Sequence, residues 1–161
     1  MLAFGVFQNK ALHAVDFAGL APPHRLATEW PMHLQPYESV NGVPFTATRA
    51  DVIRAHGQPR SELRNTVGLT ALDYGDVVYR FQDSGRLEEV TARAELLHLG
   101  TVAVPFRDLA AFVQSADSKV FARAGFLVSP LYGIAFVPAE PGWVTALARH
   151  CVGEWRALQG V

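Results

Sequence analysis

The sequence predicts a single α+β domain: mainly antiparallel sheet, two short helices and a C-terminal amphipathic helix. Three observations carry this. The chain is 161 residues long, about one domain's worth. Half of it is hydrophobic and only 18% is charged, which suits a packed core rather than a disordered chain. Strand-like and helix-like stretches cluster instead of alternating regularly, and no repeat or linker-like run divides residues 1–161.

Residues 1–45 carry no clean period. Pro22-Pro23, Pro31, Pro36 and Pro44 remove backbone donors and restrict their predecessors. Short strands and loops packed as an irregular segment on the main body are expected there, with a short helix around His24 to Glu29. The first marked helix follows Thr48. That residue can cap, Asp51 stands three positions on, and Gly57 with Pro59 stops the helix.

Strands come next. Ser61–Asn65 is a weak candidate and Gly68–Tyr74 a better one. Val77, Tyr79 and Phe81 alternate with Val78, Arg80 and Gln82, and Asp83-Ser84-Gly85 is turn chemistry. On the return strand Leu87 and Val90 differ in parity, so either a bulge lies between them or both faces are partly covered. One further strand is expected over Leu96 to Val104. A second short helix over Phe106–Asp117 turns Leu109, Phe112 and Val113 to one face. Two buried or edge strands split near Pro130, and a Pro138–Gly142 turn closes them. In the last element Val144, Leu147, Ala148, Cys151, Trp155 and Leu158 recur at three- and four-residue steps, predicting one amphipathic helix from Trp143.

Composition excludes several classes. The net charge of −1 offers no basic stripe for nucleic acid. The apolar start, Met1–Phe7, lacks a basic flank and is broken soon after by His13 and Asp16, so neither a signal peptide nor a membrane span is expected. One cysteine, Cys151, makes no internal disulfide, and cytoplasmic residence follows as the expectation.

Compact catalytic motifs are missing. His13, His24, His33, His56, His98 and His150 include no metal-binding helix pair. No nucleophile elbow or phosphate-cradling glycine loop occurs. His150 and Cys151 are adjacent, and on a helix neighbours point about 100° apart, so Cys151 reads as a small core residue. No catalytic residue, metal or cofactor is therefore expected.

What stands out is acid. From Asp73 to Glu95 six acids face three arginines, a local charge of −3 against +2 for the remainder. Asp73, Asp76, Asp83, Glu88 and Glu89 are the candidate partner-binding residues, forming an acidic hairpin face toward a basic protein. Adjacent Glu88 and Glu89 face opposite sides of a strand, and an edge or solvent-facing strand is the simplest setting for them.

Two runs carry a resemblance. T-x-T-x-x-D-V-x-x-x-x-G-x-P spans Thr46 to Pro59, and L-D-Y-G-D-x-x-Y-R-F-x-D-x-G-R-L-x-x-V spans Leu72 to Val90. Together they resemble the helix-then-hairpin module of the β-lactamase-inhibitor-protein-like fold, shared with small lipoproteins of the barrel assembly machinery. The Tyr74–Leu87 run is similar to small bacterial immunity proteins, which neutralise a toxin encoded beside them. The likeness covers about 45 residues. The chain lacks the lipoprotein's cysteine near the start and the secreted inhibitor's disulfide cysteines. The resemblance thus implies a non-enzymatic protein that occludes the active site of a toxin or effector domain, of basic character to match the acids. Two rivals stand beside it: a small hydrolase assembled from His24, His33, His56 and Asp76, and a subunit that self-associates, as a homodimer, through its sheet.

Overall fold

Residues 31–157 are described by a computed structural model, and among them are thirteen strands and three helices. The helix expected around His24–Glu29 lies outside the described residues. Sheet dominates, in two pieces.

The smaller sheet runs in the order β3-β2-β1-β8-β9. Its strands are β1 (Pro31–Gln35), β2 (Ser39–Val40), β3 (Val43–Pro44), β8 (Leu96–Leu99) and β9 (Val102–Pro105). The alternation in β1 sends Met32 and Leu34 inward and Pro31, His33 and Gln35 outward. Strands β1 and β8 run parallel; every other pairing among the described strands is antiparallel. The single strand expected over 96–104 is instead the hairpin β8–β9. Gly100 turns it at φ +64°, a conformation that glycine enters without the Cβ penalty.

The larger sheet runs β10-β11-β12-β13-β7-β6-β5-β4. It contains β4 (Ser61–Arg64), β5 (Leu69–Asp73), β6 (Val77–Gln82), β7 (Leu87–Arg93), β10 (Phe121–Arg123), β11 (Phe126–Ser129), β12 (Ile134–Phe136) and β13 (Trp143–Leu147).

Helix α1 (Arg49–His56) is held by a capping box. The Asp51 N–H donates to Thr48 Oγ1 at 3.1 Å, and the Thr48 N–H donates to Asp51 Oδ2 at 2.9 Å. Helix α2 (Phe106–Ala116) buries Phe106, Leu109 and Val113 along one face. Helix α3 is short, Cys151–Ala157. The expected long C-terminal helix is corrected here, because Trp143–Leu147 pairs as a strand with β7 on one side and β12 on the other.

Two cores result, one on each face of the larger sheet. The first joins both sheets, with Met32, Leu34 and Leu97 meeting Tyr79, Phe81, Val90, Ile134 and Phe136, and with Val52, Leu109 and Val113 contributed by α1 and α2. Each such side chain, fully buried, contributes about 1.5–3 kcal/mol. The second gathers Leu69, Phe126, Val128, Leu147, Cys151 and Trp155 beneath α3. No helix among the described residues is long and apolar enough to cross a membrane.

Candidate functional site

The five acids of the hairpin do not gather in one place. Asp73 ends β5, where its Oδ1 accepts the Gly75 N–H at 2.7 Å and shapes the β5–β6 turn. Asp76 is exposed in the same turn. Asp83 sits at the β6–β7 turn and accepts both Nε (3.0 Å) and Nη2 (2.6 Å) of Arg64. That forked hydrogen bond holds its carboxyl below the usual carboxylate range. The two turns lie at opposite ends of the six-residue β6, about 20 Å apart at strand rise.

Glu88 and Glu89 are buried, so the expectation of a solvent-facing strand is corrected. Their strand is interior, with β6 on one side and β13 on the other, and both of its faces are covered. The parity clue at Leu87 and Val90 is a true bulge. Arg80 pairs with Glu89 and Phe81 with Leu87, leaving Glu88 as the extra residue. A bulge re-aims the side chain it carries, and here it delivers the Glu88 carboxylate to the start of α3.

There Glu88 meets three groups. Its Oε1 accepts Arg86 Nε at 3.0 Å. Its Oε2 contacts His150 Nε2 and accepts the Cys151 thiol at 3.0 Å. His150 stands in the turn before α3 rather than on it. The helical angle between neighbours therefore does not apply, and His150 and Cys151 converge after all. Donor atoms of Glu88, His150 and Cys151 lie within 4.8 Å of one another. Burial pushes the Cys151 thiol up, and Glu89, Glu88 and Glu154 push it further, so the sulfur keeps its proton and donates it. A thiolate nucleophile is not what these surroundings make.

Next to this cluster runs a buried polar row on the same face of the larger sheet. Arg80 Nη1 donates to Thr91 Oγ1 at 2.7 Å, and Thr91 Oγ1 lies 2.8 Å from Thr145 Oγ1. Glu89 Oε1 accepts the Trp155 indole N–H at 3.3 Å. Burial raises the Glu89 carboxyl to about 7, against the opposing pull of Arg80 and the indole bond. Arg80 Nε, Arg80 Nη2 and Glu89 Oε2 have no hydrogen-bond partner among the described residues.

The suspects for a hydrolase stand on separate elements. His33 of β1 stacks on His98 of β8, ring centres 4.4 Å apart. His56 ends α1 against Tyr74 and Tyr79. Asp76 is in the β5–β6 turn, and His24 lies outside the described residues.

The surface feature that sequence reading undervalued is β4. All four of its residues are exposed, Leu63 at 64%, and among the described strands it pairs only with β5. Its charged neighbours are engaged within the chain: Glu62 accepts Arg49 Nε at 2.9 Å and Nη2 at 2.5 Å, and Arg64 takes Asp83. Asp83 brackets one end of this edge, while Asp73, opposite Ser61, brackets the other. Comparison with known proteins finds no matching family model, no matching curated protein and no matching solved structure.

Proposed function

We propose that the chain is a non-enzymatic protein-binding module of the immunity type, which neutralises a toxin or effector domain by covering its active site. The observation that carries this reading is the β4 edge. Its four residues are exposed, Leu63 among them, and it forms the rim of the eight-stranded sheet among the described strands. An open edge is a template for another chain's strand, and proteins normally blunt it. The turn carrying Asp73 and Asp76 at one end of β4 supplies selectivity for a basic partner, while Arg64 neutralises Asp83 at the other end and Arg49 neutralises Glu62. The order of α1 followed by the β4–β7 meander also suits the helix-then-hairpin resemblance.

The test uses wild type and Leu63→Glu side by side as baits in the native host, followed by binding kinetics with the purified partner. A partner held by wild type and released by the variant, with inhibition of that partner's activity, supports the reading. A partner held equally by both moves the contact away from β4. A captured protein whose activity is unaffected removes the immunity role.

Self-association is favoured by one specific feature. If two β4 edges pair antiparallel about Leu63, the leucines face each other and Glu62 of each copy lies opposite Arg64 of the other. Sedimentation of wild type and Leu63→Glu at the same concentrations separates this reading from the first.

A further inference from the structure

We infer that Glu88, His150 and Cys151 bind one divalent cation of the zinc class, which ties the start of α3 to the bulge of β7. Three different donor types converge there, a carboxylate, an imidazole and a thiol, all within 4.8 Å of one another. Zinc and cobalt(II) accept that mixture in four-coordinate geometry, whereas calcium and magnesium call for oxygen donors throughout. Glu88 and Cys151 are each about 1% exposed, while the His150 side chain is 32% exposed, so the site has a buried floor and an open side.

The surroundings suit a cation. Arg86 Nε on Oε1 orients the Glu88 carboxylate and leaves Oε2 toward the histidine and the thiol, as an outer partner of a metal ligand does. Glu154 follows Cys151 by three residues and His150 by four. Its Oε2 is buried without a hydrogen-bond partner among the described residues. Burial raises its carboxyl, with Glu88 the next cause. When the cation binds, the Sγ–H bond breaks, an Sγ–metal bond forms, and the proton leaves to solvent. Affinity therefore rises with pH.

Spacing rules missed this site because they look for ligands along one helix or knuckle. Here one ligand lies 62 and 63 residues before the others and reaches them through a bulge.

The full-length chain, stripped with a chelator, is to be titrated with cobalt(II) alone and then with zinc(II) alone. One cobalt per chain, a thiolate-to-cobalt charge-transfer band, displacement by zinc and a higher melting midpoint with zinc are expected. Cys151→Ser should abolish the band. His150→Ala, at a partly exposed position, should weaken cobalt binding at least about tenfold, the lower end of what outer-sphere changes already cost. Circular dichroism of the metal-free variants checks that they fold, and His150→Ala carries the test if Cys151→Ser does not. The double variant His33→Ala/His98→Ala should bind as wild type. No saturable uptake, a cobalt spectrum without the thiolate band, or unchanged affinity in His150→Ala overturns the site. Loss of binding in the His33/His98 variant alone places the metal on the stacked pair and overturns it equally.

Discussion

The two faces of the eight-stranded sheet are made by the same strands, and both are covered, yet they are built on opposite chemistry. Toward the smaller sheet the central strands present Tyr79, Phe81, Leu87, Val90 and Ala146, a continuous apolar surface. Toward α3 the same strands present Arg80, Glu89, Thr91 and Thr145, all buried. The apolar face owes its stability to area and close packing, which a change of pH leaves nearly unchanged. The polar face depends on each charge having its neighbour, and on which groups hold protons. One strand can therefore carry a plain core on one side and a titratable, donor-rich site on the other. The Glu88 bulge is where the second chemistry meets the partly exposed His150 at the start of α3.

Breaking the comparison outright calls for one truncation on each face. Arg80→Met removes the buried cation across the ladder from Glu89 together with the hydrogen bond to Thr91, and should cost about 3 kcal/mol, the scale for taking a charged partner from buried polar groups. Adding Glu89→Leu should recover most of that loss, since apolar replacements of buried pairs are often neutral or better. Phe81→Ala on the other face should cost about 3–5 kcal/mol, through a cavity. Denaturant unfolding at two pH values separates the mechanisms. The Phe81→Ala cost should be the same at both. The Arg80→Met cost should shrink in acid, where Glu89 is protonated and needs no counter-charge. Equal pH dependence in both variants would remove the distinction between the faces.

A second, smaller effect sharpens the same contrast. The Glu89 carboxyl is raised from its ordinary 4.5 to about 7, chiefly by burial. Between those values the folded state holds a proton that the unfolded state has released. Stability from this group is thus fully present below about 4.5, falls as the pH rises toward 7 and is flat above. The loss is on the order of 3 kcal/mol. Glu89→Gln should erase that slope, so the gap between variant and wild type widens across the window in the variant's favour. Parallel stability curves for the two proteins would mean that Glu89 is ionised throughout.

Local signals made much of the fold legible. Thr48, Asp51 and Gly57 mark both ends of α1 because capping is chemistry among near neighbours. The mismatch of Leu87 and Val90 pointed to a bulge or to cover on both faces because side-chain direction alternates with a period of two, and both are present. Trp143–Leu147 misled because four of its five residues are buried, so the alternation that identifies a half-exposed strand is absent. What remained was apolar spacing, which Val144, Leu147 and Cys151 satisfy at helical steps. Gly100 was the missed punctuation between β8 and β9. The buried site was the least legible part. Glu88 and Glu89 looked like surface residues in sequence, and only the neighbours β6 and β13, with the cover on both faces, put them inside.

The smallest effects belong to the β6–β7 turn, which lies outside both faces and serves as the reference for them. Gly85 adopts φ +92°, and its N–H donates to Gln82 O at 2.8 Å. A Cβ added there would meet nothing within 4 Å, so contact plays no part in what a substitution does. Backbone conformation alone decides. Valine, branched at Cβ, resists positive φ, and Gly85→Val should cost about 1–2 kcal/mol. Asp83, two residues earlier, tests the other term at the same turn. Its carboxylate is held by Arg64, but both side chains are more than half exposed, so water and salt screen the pair. Asp83→Asn should leave the denaturation midpoint within error of wild type, at low and at high salt. Neither change should alter the pH slope that Glu89 sets, because neither touches the row beneath α3. A Gly85→Val protein with an unchanged midpoint would show that the turn relaxes without penalty. An Asp83→Asn protein that unfolds early would show that this tip is tied to the sheet by more than a surface ion pair.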